Sequence, residues 1–256
     1  MRDFLLGILM GIANLLPGIS GGTIAAISGR YDIILKAFSD LLSFKIKKNS
    51  LKTVAFLIFG IAISILLLSK ILSKVFEKYP EYSYGLFSGL IIGGLFYLLK
   101  EIKIKKISNF SIITFSFVIT YFILSFTQSV EKSNTNLFYL FVSGIIGAAT
   151  MVLPGISGSS MLLILGIYKQ VIDAISSLEF KILIPFGLGV LFGLILIVKL
   201  LEILMEKFRE KVISFLIGLT LAGTFLIFPV TTKWFSYVYF VLGILISKYL
   251  EAILKE

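Results

Sequence analysis

The residues with chemistry to offer fall in two nearly identical clusters 137 positions apart, Pro17-Gly18-Ile19-Ser20-Gly21-Gly22-Thr23 and Pro154-Gly155-Ile156-Ser157-Gly158-Ser159-Ser160. Each interrupts an apolar segment, and the pairs Pro17-Gly18 and Pro154-Gly155 are helix breakers. Ser20 and Ser157 stand where an N-cap belongs, so a fresh helix begins at Gly21 and at Gly158. Such a start offers N–H groups and a positive dipole end, and the glycines let a ligand approach the main chain closely. The chemistry predicted is anion binding by Ser20, Gly21, Gly22 and Thr23 from one cluster and Ser157, Gly158, Ser159 and Ser160 from the other. A plain structural kink, with serines re-satisfying freed backbone groups, is the simpler alternative. It explains one break better than two matched ones.

Charged residues near the breaks carry two readings each. Arg30 lies about two turns beyond Thr23 and aligns with Ile167 of the second copy. It is a phosphate clamp near the cytoplasmic opening or an arginine snorkelling to the interface. Asp32 with Lys36, and Lys169 with Asp173, form i,i+4 pairs with the charges exchanged between copies, which is ordinary helix pairing unless Asp32 or Asp173 serves proton coupling. Lys70 and Lys199 occupy matched columns and either dock an anionic headgroup or snorkel from span ends. The sequence has no cysteine and no histidine, which removes disulfides, thiol and imidazole chemistry and the common zinc ligands. Neither a metal site nor a cofactor is expected.

The elements that position these residues must lie in a membrane. A chain of 256 residues that is 58% hydrophobic and 15% charged cannot clothe a soluble globule in polar surface. Its first apolar arm, 4–16, is about 20 Å long as a helix, short of a hydrocarbon core of about 30 Å. Each arm therefore stops inside the bilayer, where unpaired backbone is tolerated only if buried in protein or facing a wet cavity. The net charge of +10 sits in short loops between apolar spans, so it reads as positive-inside topology and not as a nucleic-acid site. The N-terminal run resembles a signal peptide but lacks a cleavage-type site and recurs internally, so it is read as structure.

Aligned without gaps, 7–38 and 144–175 share twelve identities in thirty-two positions. The match continues at an offset of 129, with Gly60, Lys70 and Gly89 against Gly189, Lys199 and Gly218. The expected fold is an all-α polytopic membrane protein forming one integral membrane domain. Its N-terminal repeat, 1–136, holds a re-entrant broken pair over 4–38 and helices over 54–75, 82–99 and 110–128. Its C-terminal repeat, 137–256, holds a broken pair over 137–176 and helices over 182–205, 212–228 and 235–254. An odd number of crossings separates the repeats, so the second is inverted, the architecture of secondary transporters. Seventeen of the 24 lysines and arginines fall on the side of the N-terminus, which predicts cytoplasmic N- and C-termini.

The paired Pro-Gly-Ile-Ser-Gly motifs, each followed by Gly-x-Tyr (Gly29-Arg30-Tyr31 and Gly166-Ile167-Tyr168), resemble the bacterial polyprenyl-phosphate translocases called PopT, formerly a family of unknown function. The resemblance covers essentially the whole chain. It implies a flippase in the bacterial cytoplasmic membrane that returns undecaprenyl phosphate, the carrier of cell-wall precursors, from the outer to the inner leaflet. Members commonly carry an acidic residue after the motif tyrosine; the first repeat keeps it as Asp32, whereas the second has Lys169. Proton or sodium coupling, tail length and oligomeric state stay open. Two other functions compete: a transporter of another anionic lipid or a small anion, and an intramembrane polyprenyl-diphosphate phosphatase. The phosphatase would need a general acid or base and an arginine inside the motifs, and neither motif has one.

Overall fold

The computed structural model describes residues 2–14, 20–45, 47–104, 106–125, 136–156, 158–228 and 234–255, all of whose regular structure is helical. Pro17, Gly18 and Ser157 lie outside the described residues, as do the side chains of Lys70, Ser159 and Ser160. In chain order the helices are α1 (Arg2–Asn14), α2 (Gly21–Ile27), α3 (Tyr31–Leu42), α4 (Lys48–Lys78), α5 (Pro80–Lys100) and α6 (Ile107–Ser125). They continue as α7 (Leu137–Val152), α8 (Gly158–Ile164), α9 (Tyr168–Ser177), α10 (Phe180–Ile227) and α11 (Phe235–Lys255). Four of them, α4 over 48–67, α5, α6 and α10, are long and apolar enough to cross a membrane, which makes this a helical membrane protein.

Both breaks separate helices where Pro-Gly demands it, but the segment after each break departs from the expectation. The stretches 21–38 and 158–176 are not single arms. Each folds as a seven-residue helix, a corner, and a second helix. The corners are Gly29 and Gly166, at φ +70° and +71°, left-handed conformations that end a helix cheaply only with glycine. The Gly-x-Tyr signature is thus the corner and first residue of the next helix.

The 48 residues of α10 would measure about 72 Å, twice a hydrocarbon core, so this helix cannot be one span. Its backbone leaves helical geometry at Phe208 (φ −135°, ψ 38°), between the expected helices 182–205 and 212–228. The intervening charged stretch, 206–211, is otherwise helical where a loop is expected.

Close crossings hold the helices together. Built at Gly7 of α1, a Cβ would sit 2.4 Å from the Leu57 carbonyl of α4, and at Gly144 of α7 it would sit 2.3 Å from the Phe186 carbonyl of α10. These are the aligned columns of the repeat, and each uses small residues to bring backbones together. The remaining long helices pair across the chain: α5 against α11, and α6 against the second half of α10.

Candidate functional site

The two breaks meet. Ser20 caps α2 in extended backbone (φ −116°, ψ 150°), its Oγ accepting the Thr23 N–H at 3.2 Å. Thr23, 1% exposed, reaches across to the second break, where its Oγ1 accepts the Gly155 N–H at 2.9 Å. Ser20 Oγ lies 3.2 Å from Thr23 Oγ1 and donates to the Leu153 carbonyl at 3.5 Å. Because a hydroxyl has one proton, that last bond fixes the direction of the chain: Gly155 N–H to Thr23, Thr23 O–H to Ser20, Ser20 O–H to Leu153. Tyr31, just past the Gly29 corner, adds a bond from its hydroxyl to the Val152 carbonyl at 3.2 Å.

The backbone leaves no room at this crossing. Gly155 takes φ +85°, and a Cβ there would lie 2.2 Å from the Leu219 carbonyl of α10. At Gly22 it would lie 2.6 Å from the Val152 carbonyl. Glycine is required at both positions for close approach, and at Gly155 also for conformation.

The predicted residues separate into those brought together and those placed apart. Ser20, Gly21, Gly22 and Thr23 are buried at the crossing with Pro154 and Gly155, and Gly158 is buried against Met151. Arg30 is instead paired with Asp3 of α1 at 2.7 Å, and Asp3 also accepts from the Thr53 hydroxyl of α4 at 3.1 Å. Asp32 pairs with Arg209, which also bonds Glu101 at 2.6 Å. Lys169, Asp173 and Lys199 are exposed.

Sequence reasoning missed three participants. Asn14 accepts the Gly21 N–H on its Oδ1 at 2.7 Å; a lone amide in the apolar run 4–16 was the available signal. Tyr31 had a signal in its repeat partner Tyr168. Arg209, 177 positions from Asp32, had none. A break at membrane depth predicts a wet slot, yet the cavity beside the crossing, about 290 Å³, is lined by apolar side chains together with Gly22 and Tyr31. Among the described residues, the reason is that Ser20, Thr23, the Leu153 carbonyl and the Gly155 amide satisfy one another.

The undecaprenyl phosphate translocase-like family matches residues 10–239. A Vibrio cholerae serotype O1 protein named polyprenyl-phosphate transporter is 32% identical over 242 residues, 90% of this chain and 78% of that protein. A Staphylococcus aureus protein of the same name is 29% identical over 275 aligned positions, 99% of this chain and 97% of the other. No solved structure matches.

Proposed function

The chain belongs to the undecaprenyl phosphate translocase-like family, and from that premise we propose that it is a transporter, not an enzyme, carrying undecaprenyl phosphate from the outer to the inner leaflet for reuse in cell-wall precursor synthesis. The observation that carries this reading is the bond between Thr23 of one break and Gly155 of the other, which makes one centre of two distant motifs. In this conformation Ser20, Thr23, the Leu153 carbonyl and the Gly155 amide bond each other. A phosphate entering between them replaces those bonds with charge-assisted ones, to Ser20, Thr23, Ser157, Ser159 and Ser160 and to the amides of Gly21, Gly22 and Gly158. Arg30 joins them once released from Asp3, and Lys70 and Lys199 meet the headgroup on opposite sides.

The two halves act as inverted repeats, 1–136 and 137–256, that rock about this centre with both termini cytoplasmic. Inward movement of an anion opposes a negative-inside potential by about 2.3 kcal/mol per charge per 100 mV. A phosphate monoester titrating near neutrality can carry its own proton in, and a rate indifferent to an imposed pH gradient would exclude that coupling.

The test is leaflet exchange of undecaprenyl phosphate in proteoliposomes, comparing wild type with Ser20→Leu and Ser157→Leu at equal reconstitution. Acceleration by wild type and loss in both variants is the expected result. Exchange equal to that of empty liposomes overturns the reading.

A further inference from the structure

We propose that the apolar groove beside the crossing is the binding site for the first part of the prenyl chain, an assignment that rests on the transport reading above. The groove runs from the crossing along α3, a path of about 17 Å from Tyr31 to Leu42 at 1.5 Å per residue. One wall is the apolar stripe Ile34, Leu35, Phe38 and Leu42 of α3, and the facing wall is Leu194 and Val198 of α10. Gly22 of the first break and Val152, the last residue of α7, also line it. A ligand with a polar head among the break hydroxyls and an apolar chain leaving it would follow this groove.

Three features select a single prenyl chain. The volume, about 290 Å³, stands at the low end of small-molecule sites, so it holds part of one chain and not the two of a bilayer phospholipid. Met10 and Met151 contribute unbranched, polarizable thioethers that adapt to the irregular outline of a methyl-branched chain. Met151 is also 57% exposed, so the groove is open on that side and the rest of a long chain has a way out. Tyr31, its hydroxyl held by Val152, stands where head and chain join.

The experiment uses the full chain in phosphatidylcholine nanodiscs with two photoreactive probes, a farnesyl phosphate and a phosphatidylcholine, each carrying a diazirine on its chain. Labelled peptides are mapped with and without excess undecaprenyl phosphate. The groove assignment expects the farnesyl probe on α3 and on the Leu194–Val198 turn of α10, displaced by undecaprenyl phosphate. It also expects Leu194→Trp, which fills the groove, to cut that labelling about tenfold, with Leu196→Trp on the exposed face leaving it intact. If Leu194→Trp does not fold, the wild-type map alone decides. Displaceable labelling elsewhere overturns the groove and leaves the transport reading standing. Equal labelling of the groove by the phosphatidylcholine probe overturns it as a general lipid crevice. No displaceable labelling anywhere overturns the transport reading, and the groove with it.

Discussion

The two breaks share five consecutive residues, Pro-Gly-Ile-Ser-Gly, and differ in what surrounds them. At the first, Asn14 caps Gly21; at the second, Met151 fills the aligned position and packs on Gly158. All seven residues of α2 are buried, whereas Met161, Leu162 and Ile164 of α8 are half-buried. The first copy is tied by Arg30 to Asp3, Asp32 to Arg209 and Asp40 to Lys47, and the residue types in those columns change to Ile167, Lys169 and Ser177 in the second. One sequence motif is thus held in two environments. On the alternating-access reading proposed above, the two copies must differ in any one end state, and the differences in sequence and burial between them fit that requirement.

The largest effect should come from the backbone. Gly155→Ala places a side chain in left-handed backbone and against the Leu219 carbonyl, and we expect a loss of about 3 kcal/mol or more, seen as a lowered melting temperature in detergent. An equal loss in Gly18→Ala would extend that geometry to the first break; tolerance there would break the symmetry of the pair.

Next is the hydroxyl at the crossing. Thr23→Val leaves the Gly155 N–H without its acceptor, at a cost of about 1–3 kcal/mol, and lowers both melting temperature and exchange rate. Ser160→Ala, its partner by alignment, should slow exchange by a similar factor. If Ser160→Ala leaves exchange untouched, the second break is a passive wall.

Smaller still is the tie at Arg209. Its guanidinium is 49% exposed and Asp32 38%, so Arg209→Ala should cost no more than about 1 kcal/mol, shrinking in high salt. Asp32→Asn combined with Arg209→Ala should cost less than the sum of the two single losses, and strict additivity would assign the Arg209 effect to its other contacts.

The smallest effect is an acid limb from Asp40. The Ser50 hydroxyl and the Lys47 ammonium hold the Asp40 carboxyl below the usual carboxylate range. Its stabilisation is complete above the unfolded value of about 3.9 and is lost as pH falls through the lower folded one. Acid unfolding followed by circular dichroism should lose this limb in Asp40→Asn and keep it in Ser177→Ala.

What could be read in advance was whatever repeats or stands out against an apolar background. The breaks, their kinship, and the glycine columns of Gly7, Gly60, Gly144 and Gly189 were legible because an insertion of Pro, Gly and Ser into such a sequence has few physical meanings. The meeting of the breaks follows from the repeat only as an expectation; the bond from Gly155 to Thr23 fixes it. The corners at Gly29 and Gly166 were missed because a single glycine in an apolar run reads equally as packing. The partners of Arg30 and Arg209 lie 27 and 177 positions away, and no local pattern encodes a tertiary ion pair.

The long-range pairing of α5 with α11, and of α6 with the second half of α10, bears on how such a chain could arise. Gly89 lies under the Phe240 carbonyl and Gly218 under that of Ile113, so each half lends its last helix to the other. Neither half is a module that could be cut free: released alone, residues 1–136 would leave the glycine face of α5 without its cover. A duplicated gene for one half would have made an interlaced homodimer from the outset, and fusion into one chain would have preserved the lacing while freeing the two breaks to diverge.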